Sequence, residues 1–335
     1  MKFHFVYFNK NSPSFIFYYK ILNYLTKKIF NKKITYSSLE IFNKKKIFYD
    51  YVFFMSGDNK IYKIYDNSKF ILVDPRANHY NNIDIFDGFI FNGIEQKLFF
   101  NVNTQSIIIP VYPLIKKKKK INSIKKKIIT YHGNSEHLIN FFDRFLKIEK
   151  ILSKKYKISY NFIYNKKFFT KVKKLYNPKL FKSKINHVNF SIKNLSKYLS
   201  QTDIGIVPQL NSWKEFNNKK SFFQKIVNTK FFKKKYNYFL SFKETTNIGR
   251  HLVFAQCKVP IISDITLSSV NLIENGFNGF LAYKPEDWSN NIQYLIDNDI
   301  VRKKIGINLF KQWKDKYFFS NFLLDFRKFL LNLKD

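Results

Sequence analysis

Short runs of Ile, Val, Phe and Tyr alternate along this chain with longer segments of helical period, and that alternation constrains its fold more than any other feature. A run of four to six apolar residues suits a strand buried on both faces. Parallel strands of that kind need a crossover helix between them. Residues 3–8, 51–55, 70–73, 88–91 and 106–109 read as five strands, Pro13 opens a helical pattern to about Lys27, and 93–100 reads as a short helix. Past residue 127 the alternation restarts, with strands at 128–131, 160–163, 188–190, 204–207, 260–263 and 279–282. Helices are expected at 136–152, 192–199, 248–257, 268–274, 286–296 and 301–313, and a last amphipathic helix over about 318–331. The predicted class is α/β, with two Rossmann-like domains whose parallel sheets face each other across a cleft.

Eight of the twelve residues 116–127 are lysine, too many charges to bury. The expected division is a first domain over 1–115, a lysine-rich linker over 116–126, a second domain over 127–313, and a C-terminal helix over 314–335 that packs back on the first. A second reading of Lys116 to Lys127 is contact with an anionic membrane surface, since clustered lysines each add roughly 1 kcal/mol of attraction to anionic headgroups.

The formal net charge of +37 raises nucleic acid as a partner. Arginine, however, occurs at only five of the 60 basic positions, while Lys, Asn, Ile, Phe and Tyr recur throughout, the mixture that AT-rich codons produce. Most of the 40 phenylalanines fall at core spacing rather than as stacking platforms, so nucleic acid is not the expected partner. The single cysteine, Cys257, lies in an apolar stretch and fits a buried thiol in a reducing compartment. No signal-type apolar region opens the sequence, and lysines and asparagines interrupt every candidate span. A cytoplasmic protein is expected, soluble or peripheral at the inner face of the membrane. The six histidines show no metal-ligand spacing, so neither metal nor cofactor is expected. Asp297-Asn298-Asp299 imitates a metal-binding Asp-x-Asp but falls between two helices, as a cap and turn would.

The most informative stretch runs from Lys243 to Arg302. It opens with the polar loop Lys243-Glu244-Thr245-Thr246-Asn247-Ile248-Gly249-Arg250-His251. A helix then leads to Val259-Pro260-Ile261-Ile262-Ser263-Asp264, next comes Glu274-Asn275-Gly276-Phe277-Asn278-Gly279-Phe280-Leu281, and Glu286-Asp287-Trp288 opens the last helices. This order resembles the donor-binding half of the group 1 glycosyltransferases of GT-B fold. The turn Tyr131-His132-Gly133-Asn134 is similar to that family's Tyr-His-Gly turn facing the donor.

The resemblance implies an enzyme, independent of metal, that moves a sugar from a nucleotide-diphosphate donor, its substrate rather than a cofactor, onto a glycan or lipid-linked acceptor. Surface polysaccharide or lipopolysaccharide synthesis is the setting it suggests. Arg250 stands near a helix start, where a planar fork and free N–H groups match phosphate oxygens. Lys243 and Asn247 share its loop. Gly133 permits close backbone approach, Asn134 or Ser135 can cap the next helix, and His132 is placed near phosphate or sugar. In the first domain, Asp58 and Asp74 follow strands and are the candidate bases for an acceptor hydroxyl. One departure stands out. Where many relatives hold the donor ribose with a glutamate seven residues before the strand's proline, this chain has Val253. That keeps open a GT-B protein without transfer activity, or a sugar-nucleotide epimerase, and leaves inverting and retaining chemistry equally open.

Overall fold

The computed structural model describes residues 1–45, 47–55, 67–75, 83–116, 126–212, 240–241 and 246–333. They form two compact units, one built from Met1–Pro113 together with Trp313–Asp335 and the other from Leu114–Gln312.

In the first unit, β1 (Phe3–Tyr7), β2 (Ile34–Ser38), β3 (Tyr51–Met55), β4 (Lys69–Val73), β5 (Gly88–Phe91) and β6 (Gln105–Ile108) make one parallel sheet in the order β2-β1-β3-β4-β5-β6. Helix α1 (Pro13–Phe30) begins with proline in its first turn, where no amide hydrogen is needed, and ends at Asn31 in the left-handed conformation, φ 53°. Helices α2 (Leu39–Lys45) and α3 (Ile94–Phe100) are short. One face of the sheet buries Val6, Val52, Phe54, Phe70, Leu72 and Phe89. Residues from the other end of the chain pack on this unit. The Tyr51 hydroxyl donates to the Leu330 carbonyl (2.9 Å), Phe53 stacks on Phe326, and Gly88 leaves room for Phe329 and Leu333.

Strand β2 and helix α2 were not expected from the sequence. In β2 only Ile34 is buried, so the apolar signal of a strand is missing at this sheet edge.

The second unit contains β7 (Lys127–His132), α4 (Ser135–Leu152), β8 (Ile158–Tyr164), α5 (Phe169–Leu175), β9 (Lys184–Asn189), α6 (Ile192–Leu199) and β10 (Ile204–Val207). A two-residue antiparallel pair, β11 (Asn211–Ser212) with β12 (Leu240–Ser241), precedes α7 (Gly249–Gln256). Then come β13 (Ile261–Asp264), α8 (Leu267–Leu272), β14 (Phe280–Ala282), α9 (Pro285–Asp297) and α10 (Asp299–Gln312). The sheet is parallel, in the order β14-β13-β10-β7-β8-β9. Counted by place in the chain this is the 3-2-1-4-5-6 order of a dinucleotide fold, with its switch point between β7 and β10. Aromatic and aliphatic side chains of β7 and β8 pack with α4 and α9 around Phe141, Phe145 and Trp288. Asn298 forms the joint between α9 and α10, with Asp297 bonded to Lys155 and Tyr156 and Asp299 to Lys127 and Arg302. Both acids flanking Asn298 therefore serve the helix junction.

The last expected helix is divided. A π-turn (Trp313–Tyr317) and a 3-10 turn (Phe319–Phe322) precede α11 (Leu323–Asn332).

Candidate functional site

In an open parallel sheet, ligands bind beyond the carboxyl ends of the strands at the switch point, where the two flanking crossovers diverge. In the second unit those ends are His132-Gly133 after β7 and Pro208 after β10. Arg250 joins them.

Its position is set by packing further along α7. Gly205 in β10 carries no side chain, and a Cβ there would stand 2.7 Å from the Phe254 ring. The helix therefore lies close on the strand, and Arg250, one turn earlier, reaches the end of β10. Its Nη1 donates to the Pro208 carbonyl (3.0 Å), and its guanidinium carbon lies 5.9 Å from the centre of the Tyr131 ring. Gly133 is held at φ +139°, outside ordinary L-residue space, and a Cβ on it would stand 2.7 Å from Arg250 Cδ. Glycine is required here twice over, for the backbone turn and for the arginine above it. Burial draws the guanidinium pKa down, and Tyr131 and Asp264 oppose that shift.

Of the two candidate caps, Asn134 closes α4, its Oδ1 accepting from the Glu136 amide (3.1 Å). The Tyr131 hydroxyl donates to the Asn134 carbonyl, which fixes the turn between strand and helix. Asn247 lies just before α7. Its Oδ1 accepts from the Gly249 amide (2.9 Å), and its own carbonyl accepts from Gln209 Nε2 (2.7 Å).

His132 sits beneath the site. It is buried against Phe254, and its Nε2 donates to the Arg250 carbonyl (3.2 Å), which fixes the neutral tautomer. Burial first, and then the neighbouring Arg250 charge, push its pKa down to about 3. Its ring nitrogen thus holds the helix that carries Arg250. His251, next in the chain, is likewise buried, bonded through Nε2 to Ser263 Oγ (2.8 Å), with a pKa lowered to about 3, mainly by burial.

A buried ion pair supports the loop after β10. Arg144 on α4 forks onto Asp264 at the end of β13, with Nη2 to Oδ2 at 3.0 Å. The same Oδ2 accepts the amides of Gln209 (2.7 Å) and Leu210 (2.9 Å). Asp264 therefore holds the segment whose Pro208 carbonyl orients Arg250. The sequence displayed Arg144 as one of five arginines and Asp264 at a strand end, but nothing in their spacing paired them.

Among the other expected site residues, Asp58 and Lys243 lie outside the described residues. Asp74 is fully buried at φ 52°, its Oδ1 accepting from Gln96 Nε2 (2.7 Å). Val253, singled out by the sequence resemblance, is buried inside α7. Among the described residues no group of three or more metal-binding side chains converges, and no helix is long and apolar enough to cross a membrane.

No family model matches the sequence, and no curated protein matches it. Solved structures do match in three dimensions. A glycosyltransferase from Rickettsia africae ESF-5 superposes with a TM-score of 0.62 over 99% of this chain and 98% of that chain, at 12% identity. Anabaena Alr3699/HepE, solved in complex with UDP and glucose, gives 0.63 over 98% and 99%, at 10% identity. The fold is GT-B. A GT-B likeness extends also to S. aureus TarM, with a TM-score of 0.60 and 13% identity over 87% of this chain. The present chain spans 57% of TarM's length. The GT-B fold reached by resemblance from the Lys243 to Arg302 stretch is thus the fold observed, at identities that carry the fold and not the substrate.

Proposed function

We propose that this chain is a glycosyltransferase that moves a sugar from a nucleotide-diphosphate donor onto an acceptor hydroxyl, with the diphosphate seated at the switch point of the second unit. The observation that carries this reading is Arg250, fixed by Pro208 above a glycine that only a bare backbone can occupy. Its donors toward Pro208 and Tyr131 are committed to the protein, and the rest of a guanidinium in such a place matches phosphate oxygens. Beside it α4 and α7 both present their N-termini, whose partial positive charge favours the same anion.

In the proposed reaction, the acceptor oxygen attacks the anomeric carbon while the bond from that carbon to the diphosphate breaks. The acceptor proton passes to a base, and the diphosphate leaves with the electron pair. Arg250, the helix amides and Lys243 stabilise the charge on the departing group. Asn247, Gly133 and Asn134 shape the donor turn, and His132 positions Arg250 through its carbonyl. Asp74 has one carboxylate oxygen bonded to Gln96 in the core, so the base role is assigned to Asp58. Complexes of neighbours with UDP and a sugar support a nucleotide sugar as partner. A glycan or lipid-linked acceptor, metal-independent chemistry, a cytoplasmic setting and a role in polysaccharide synthesis belong to the same proposal.

A second reading follows from Val253. With no ribose-holding carboxylate at that position, a GT-B protein that binds nucleotide without transferring sugar remains in play. Calorimetric titration with a panel of nucleoside diphosphates, native against Arg250→Ala, tests the donor site. One nucleotide should bind, and the substitution should weaken it by about 1.5–3 kcal/mol. Binding without release of sugar from any matching donor would select the second reading, and no binding at all would remove both.

A further inference from the structure

Between Glu149 and Asp203 lie 53 residues with fourteen lysines, no arginine and no carboxylate. All of this stretch is described. It forms β8, α5, β9 and α6, the outer edge of the second unit, and all fourteen lysines are exposed. No carboxylate within the stretch offsets these charges.

Three of the fourteen, Lys166, Lys167 and Lys193, stand at a corner where β8 and β9 end. Asn189 Oδ1 accepts from the Lys166 amide (3.1 Å), and the Asn189 carbonyl accepts from Asn194 Nδ2 (2.7 Å), which ties the two loops together. Lys166 and Lys173 both stand over the Phe169 ring, at 5.9 and 5.5 Å. Lys166, Lys167 and Lys193 form no ion pair among the described residues. Two apolar side chains stand among these cations, Phe168 at 44% and Ile192 at 38% exposure.

We propose that this corner, Lys166, Lys167 and Lys193 around Phe168 and Ile192, docks the protein on an anionic membrane surface. Lysine stems and exposed apolar groups side by side match the boundary between headgroups and acyl chains. Lysine is a compact point charge without the planar fork that dominates nucleic-acid contacts, and the edge contains no arginine. The corner lies at the carboxyl edge of the same sheet that carries Gly133 and Arg250, so docking would turn the donor site of the second unit toward the lipid. The docking stands on charge and exposure alone, and its test needs neither nucleotide nor transfer.

The full chain is mixed with phosphatidylcholine vesicles, with or without one-third phosphatidylserine, and bound protein is measured by flotation. Native protein should partition onto the anionic vesicles and not onto the neutral ones. The triple variant Lys166→Gln, Lys167→Gln, Lys193→Gln should partition about a hundredfold less, at roughly a fivefold loss per lysine. A matched variant on α10, Lys303→Gln, Lys304→Gln, Lys311→Gln, should stay near native. Phe168→Ser with Ile192→Ser should make the remaining binding fully removable by salt, while the native chain retains a salt-resistant fraction. The proposal is overturned if neutral vesicles bind equally, if the α10 variant loses as much as the corner variant, or if a single-stranded oligonucleotide binds through these lysines while anionic vesicles do not.

Discussion

The carbonyl oxygen of Lys258 occupies the space beside Gly306, and a Cβ on Gly306 would stand 2.2 Å from it. Lys258 follows α7 in the left-handed conformation, φ 56°, and α10 packs directly on that backbone. A methyl group there cannot be absorbed by a flexible side chain, because the obstacle is main chain. Gly306→Ala should lower stability by about 3 kcal/mol, the upper end for overpacking, as read by urea denaturation. A loss under 0.5 kcal/mol would mean the two helices are free to separate.

At the turn holding Gly133 a different measurement responds. Gly133→Ala must both strain the backbone and push the Arg250 side chain aside. Nucleotide affinity should fall at least tenfold in calorimetry, the same direction as Arg250→Ala. Combined with Arg250→Ala, the glycine substitution should cost little more, because the two changes remove one interaction.

The Arg144 and Asp264 pair is expected to be expensive to break singly. Arg144→Met leaves a buried carboxylate with only two amide donors and should cost about 3–5 kcal/mol in thermal or chemical unfolding. Because Asp264 also holds the Gln209 and Leu210 amides, Asp264→Leu should weaken nucleotide binding as well, while Gly306→Ala, if folded, should affect binding less.

Stability should also depend on acid in a defined window. His4 is sandwiched between Thr35 and Ser37, and burial, with Lys45 nearby, pushes its pKa down to about 4. His132 and His251 lie at about 3. Unfolded, each titrates near 6.5, so between about pH 6.5 and 4 the unfolded chain binds more protons than the folded one. Stability is complete above that range and falls as pH drops through it, by up to about 1.4 kcal/mol per pH unit for each histidine. Urea unfolding at pH 6 and pH 5 should show the slope, and His4→Gln should remove one proton's share of it. An unchanged slope in that variant would exclude His4 as a contributor.

Much of the architecture could be read in the sequence because buried parallel strands are written as apolar runs. Residues 51–55, 88–91 and 204–207 are strands at those bounds, and α6 spans 192–199 as expected. Elements with one buried residue left no such trace: β2 rests on Ile34 and α5 on Val172, inside a lysine-rich segment. Strand order could not be read at all, since adjacency is fixed by crossovers that sequence does not label. The switch point, and with it the link from Pro208 to Arg250, therefore emerged only in three dimensions. His132 and Asp74 were visible as polar residues at strand ends. Their hydrogen bonds to the Arg250 carbonyl and to Gln96 depend on residues 118 and 22 positions away.

The first unit is assembled from segments on either side of the second, and this sets an order on its biosynthesis. Strands β3 and β5 leave the ribosome before the second unit, but Phe326, Phe329 and Leu330, which cover them, are translated after it. The intervening unit has all its strands and helices available before that covering arrives. A nascent chain must therefore carry an unsealed apolar sheet face throughout the synthesis of the second unit, and that interval is when chaperone binding would matter most.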